Sequence, residues 1–152
     1  MNKANDDKRL KALMRLRDTM TVAGVTNEMI KKGEQNSPLD LLVCSHAGIV
    51  GQYFFPEIKS AENVFYFSCL MIIDEKVGKK EAKALNDLIS EVNEELICGM
   101  IAVIPGVGLS YKLTIPIPES ITEDALFETM DITAAHAMAL SAGFEKRRNA
   151  VK

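Results

Sequence analysis

The ten residues 64–73, VFYFSCLMII, constrain the fold most, because they carry no charge and are apolar on both sides of an extended chain. Successive side chains of a strand point to opposite faces. One face then carries Val64, Tyr66, Ser68, Leu70 and Ile72, and the other Phe65, Phe67, Cys69, Met71 and Ile73. Such a strand must be covered on both sides, by helices or by another subunit. The apolar strand surface exceeds what three amphipathic helices cover, and Phe65, Phe67 and Met71 are the candidate dimer or partner surface.

The flanking segments supply the rest of a sheet. Residues 39–46 and 49–55 predict two short strands joined by an Ala47-Gly48 turn, with Pro56 ending the run. Residues 97–104 are apolar, and PGVG at 105–108 predicts a turn into a strand that alternates without a miss. Leu109, Tyr111, Leu113, Ile115 and Ile117 share one face, and Ser110, Lys112, Thr114 and Pro116 the other. Pro116 and Pro118 have no N–H for a ladder and predict a strand at the sheet edge.

Three stretches have helical periodicity. Over 6–23, Leu10, Leu13, Met14, Arg17 and Met20 recur at steps of three and four; over 79–96, Ala82, Leu85, Ile89, Val92 and Leu96 do the same. Ser120 and Glu123 form a capping-box pattern before a third helix ending near Ala142, with Gly143 as its stop. The polar stretch 24–38 reads as a loop or short turn of helix. The order α-β-β-β-α-β-β-α predicts an α+β domain with a mostly antiparallel sheet of about five strands. Residues 1–38 form an N-terminal helix and loop, 39–145 the core, and 146–152 a frayed tail of one single domain.

At 152 residues, with 47% hydrophobic and 26% charged side chains, the chain is long enough to bury a core without disulfides or metal. A net charge of −3 argues against a general nucleic-acid binder. No apolar stretch reaches the ~20 residues of a membrane span. The first twenty residues lack the unbroken apolar core of a secretory signal, so a cytoplasmic location is expected. Cys44, Cys69 and Cys98 are an odd, widely spaced set in strand-like stretches, expected to be reduced and buried.

The clearest place for chemistry is strand 39–46, where Asp40, Cys44 and His46 share a face. Nothing nearby supplies an oriented base or oxyanion donors, so a half-buried strand with a polar end is the favoured reading. His136 is the only other histidine, too few partners for a metal site. The glycines at 106 and 108 join two strands, whereas a phosphate loop opens a helix. Lys8, Arg9, Lys11, Arg15 and Arg17 form a basic cluster read as a solvated helix face. Most of the eight methionines are expected to fill the core.

The strand NVFYFSCLMIID, the helix KKEAKALNDLISEVNEEL, the hairpin ICGMIAVIPGVGLSYKLTIPIPES and the helix from Thr122 together resemble the type III secretion chaperone-like fold, and within it the YbjN family of small bacterial proteins. The likeness covers about two thirds of the chain, and the basic N-terminal helix lies outside it. It implies a small, acidic homodimer that binds another polypeptide or acts in regulation, with no catalysis and no cofactor. The alternative expectation is a small-molecule sensor or enzyme with a pocket near Asp40, Cys44 and His46.

Overall fold

A computed structural model describes residues 3–58 and 64–150. The elements run α1 (Lys3–Val22), β1 (Asn27–Ile30), β2 (Leu41–His46), β3 (Ile49–Phe54), β4 (Phe65–Asp74), α2 (Lys79–Ala84), α3 (Asn86–Glu95), β5 (Met100–Ile104), β6 (Gly108–Ile117) and α4 (Glu123–Ala150). The fold is α+β, and the sheet is antiparallel throughout in the order β1-β2-β3-β4-β6-β5. Six strands stand where about five were expected. The additional one is β1, inside the stretch read as loop. Its residues facing the helices are Asn27 and Met29, too weak an alternation to show beside Gly33 and Pro38.

The charge-free strand is β4, and it lies in the middle of the sheet. Phe67, Cys69 and Met71 are buried against one layer of helices, together with Leu42, Cys44, Tyr53, Leu109, Tyr111 and Leu113 from the neighbouring strands. Leu13, Leu16 and Met20 of α1, Val92 of α3, and Met130, Ala134, Ala137 and Phe144 of α4 complete this single core. The stripe on α1 is thus rotated from the one expected: Leu16 is buried and Met14 is exposed. Helix α4 brings two alanines, Ala134 and Ala137, into a core that also holds the bulky Tyr53, Phe67 and Tyr111 of the strands.

Several boundaries move for local reasons. The 79–96 helix divides at Leu85, where ψ opens to 0°, although Leu85 still donates to Glu81 and accepts from Ile89 across the break. Thr122, rather than Ser120, caps α4, its hydroxyl accepting from the Ala125 N–H at 3.3 Å. Gly143 does not stop that helix, which continues to Ala150. The expected frayed tail is instead tied down: Arg147 reaches Glu95 at 2.6 Å and Arg148 reaches Asp74 at 2.9 Å. Residues 151–152 lie outside the described residues. A bulge between Ile72 and Asp74 turns the Asp74 carboxylate towards α4 for that contact.

Strand β6 is internal, not at an edge. Its neighbour β5 spans only Gly108 to Lys112, however, so the half containing Pro116 has a free flank where the missing N–H costs nothing. Ile97 and Cys98 are exposed and lie before β5 rather than in it. Gly99, at φ +70°, is required here: a β-carbon would run into the Tyr111 ring, whose hydroxyl donates to the Cys98 carbonyl at 3.2 Å.

Candidate binding surface

All the helices that contribute to the core pack on one side of the sheet, which leaves the other side open among the described residues. Strand parity fixes what stands on it: Ile30, Leu41, Val43, Val50, Phe54, Tyr66, Leu70, Ile72, Met100, Ala102, Ile104 and Pro116 are its apolar side chains. Among the described strand residues only Glu28 and Lys112 bring charge to it. None of the twelve belongs to the core cluster. Val50 and Met100 are 41% and 47% exposed, whereas Leu70, at the centre, is shielded to 8% by its neighbours alone.

The hydroxyls at the centre of this face are bonded within it. Ser68 Oγ donates to the Leu113 carbonyl at 3.1 Å and lies 2.8 Å from Thr114 Oγ1, and Ser110 Oγ donates to the Gly108 carbonyl at 3.4 Å. Covering these hydroxyls would therefore strand no polar atom, and the usual desolvation cost of a serine-lined surface is largely avoided.

The two edges of the sheet differ. Asn93 of α3 lies along β5 and imitates a further strand: its carboxamide oxygen accepts from the Ile101 N–H at 2.7 Å, and its nitrogen donates to the Ile101 carbonyl at 2.9 Å. At the opposite edge β1 is four residues long, and among the described residues no side chain bonds to the backbone of Glu28, Met29 or Ile30.

The residues singled out for chemistry are not assembled. His46, at the end of β2, pairs through Nε2 with Asp131 of α4 and tilts its ring against Phe127 at 5.7 Å. Cys44 is buried beside Tyr53, and desolvation pushes its thiol up to about 11. Asp40 precedes the strand and accepts from the Lys32 backbone N–H at 2.9 Å. Cys69 is likewise buried, its thiol pushed up to about 12 by desolvation, so neither buried cysteine is a thiolate at neutral pH. Phe65, Phe67 and Met71 face the helices. Phe67 and Met71 are fully buried there, and Phe65 stacks on Phe55 at 5.1 Å. The open face belongs to the other parity of the same strand, that of Tyr66, Leu70 and Ile72.

Part of the basic cluster on α1 is used within the chain: Lys8 pairs with Glu119 at 3.2 Å and Arg15 with Glu123 at 3.4 Å. Arg9, beneath them, lines a cavity of about 310 Å³ that also has Asp40 on its wall. Sequence reasoning missed this cavity because it joins α1 to the connection between β1 and β2. Among the described residues no group of three or more His, Cys, Asp or Glu is placed to hold a metal ion. No helix among them is long and apolar enough to cross a membrane. No family model matches the chain, and no curated protein matches it.

Proposed function

We propose that the chain is a non-enzymatic, cytoplasmic binding module of the type III secretion chaperone-like kind represented by the YbjN family, which works as a homodimer and holds a polypeptide segment. The observation that carries this reading is the open sheet face, with its twelve apolar side chains, two charges and internally bonded serines. A second copy of the chain is its occupant. Six strands at ~4.8 Å spacing and ~20 Å length present roughly 600 Å² before side-chain relief, near the ~800 Å² per partner of a stable interface. Nearly charge-free and apolar, the face meets its own copy under a two-fold axis without like-charge conflict, as an isologous dimer requires. The polypeptide segment pairs with β1, the edge that Asn93 does not occupy.

Sedimentation equilibrium at micromolar concentration tests the dimer. The wild-type chain sediments at twice 16.8 kDa, and Val50→Glu with Met100→Glu sediments as a folded monomer. A wild-type monomer, or a double variant that stays dimeric, overturns the reading. Binding of an extended peptide with alternating apolar residues, followed by fluorescence anisotropy, tests the second half. It is lost when Met29→Pro removes a ladder N–H from β1.

A further inference from the structure

Among the described residues one buried side-chain polar atom has no hydrogen-bond partner, and it is Arg9 Nη1. Its nearest carboxylate, Asp6 Oδ1, is 3.6 Å away, beyond hydrogen-bond reach. Buried donors are almost always satisfied, so one that is not calls for an acceptor from elsewhere. The Arg9 side chain lines the cavity of about 310 Å³ between α1 and the β1–β2 connection, and that cavity supplies room for such an acceptor.

The wall chemistry narrows what enters. Arg9 and Lys32 are its cations, and Asp6, Asp40 and Glu57 its carboxylates. A phosphate or simple dicarboxylate would meet three like charges. A simple cation would bring Arg9 Nη1 no acceptor. A molecule with both charges answers both, because a guanidinium takes a carboxylate through strong charge-assisted bonds and the wall carboxylates take an ammonium. Leu39 and Phe55 supply an apolar floor. The volume is at the low end for small-molecule sites, which excludes a nucleotide-sized ligand.

We infer that this cavity binds a small zwitterion of amino-acid size with an apolar side chain, its carboxylate on Arg9 and its ammonium facing Asp40 and Glu57. The site is separate from the open sheet face and does not depend on dimerisation. It is tested by thermal unfolding of the full chain with millimolar leucine, methionine or phenylalanine. Leucinamide, which lacks the carboxylate, and N-acetylleucine, which lacks the ammonium, are the controls. At least one free amino acid raises Tm by about 3 °C, neither control does, and Arg9→Gln abolishes the shift. Glu57→Gln, a surface change that keeps the fold, weakens the affinity about tenfold in calorimetry by removing one charge-assisted bond. The proposal is overturned by no shift with any free amino acid, by equal shifts with the two controls, or by unchanged affinity in Glu57→Gln.

Discussion

The two faces of the sheet both carry apolar side chains and do opposite things with them. The helix side carries volume: Tyr53, Phe67 and Tyr111 are fully buried in one core with Ala134 and Ala137. The open side carries area: serines and a threonine sit among branched residues that no helix of the core covers. Interdigitated volume commits a face to its own chain, because only one set of helix side chains fills it. An uncovered apolar surface has no such commitment and is matched by another apolar surface.

Four measurements break or sharpen this contrast. The largest effect belongs to the helix side. Phe67→Ala lowers unfolding free energy by about 3–5 kcal/mol in denaturant titration, since a cavity opens under α1 and α4. A loss below ~1 kcal/mol would mean the two faces are equivalent. The buried thiols give the next effect. Their folded pKa values, about 11 for Cys44 and about 12 for Cys69, lie above the unfolded value near ~8.5. The unfolded chain therefore releases these protons first, and stability falls as pH rises past ~8.5, by on the order of 1 kcal/mol per thiol per pH unit. Unfolding titrations at about pH 8 and about pH 10, with Cys44→Ala and Cys69→Ala as controls, measure it against the unfolded thiol pKa.

A third, of about 1 kcal/mol, concerns the clamp beside the bulge. Asp74 is held below the ordinary carboxylate range, chiefly by the Lys76 backbone N–H and then by Arg148. A depressed folded pKa gives stability that is present above the unfolded value near ~3.9 and lost as pH falls through the folded one. Arg148→Ala costs about 1 kcal/mol at neutral pH and flattens that acid-side loss. The smallest effect is on the open face. Val50→Thr changes the stability of the monomer by less than about 0.5 kcal/mol, because no core side chain touches it. A larger loss would place Val50 inside the intramolecular core.

How much of this was legible depended on how local each feature is. The alternation of 109–117 and the two apolar faces of 64–73 gave the face assignment of β4 and β6 correctly. Parity says which side chains share a face. It does not say which face the helices take, and so Phe65, Phe67 and Met71 were read as a partner surface although Phe67 and Met71 are buried within the chain. β1 escaped notice because Asn27 stands at one of its inward positions. Gly143 was read as a stop, yet α4 passes through it, because Phe144 and the arginines beyond it find partners in the core, on Glu95 and on Asp74. Cys98 was expected in a strand, and the positive φ of Gly99 turns it out before β5 begins. Arg9 looked like one of several basic residues on a solvated helix, and only the return of the chain at 32–40 gives it a cavity to line.

The Asn93 carboxamide also fixes how far any edge-to-edge assembly can extend. A fibre of paired sheets needs two receptive ends per molecule, one to be joined and one to join. Among the described residues β1 is the unobstructed one, because at β5 the ladder positions of Ile101 are taken from within. Within one sheet, strand addition therefore runs through β1: a captured segment there is the last strand of its sheet, and each copy offers one such edge. Which edge receives it is set by one side chain on a helix rather than by the strength of the contact.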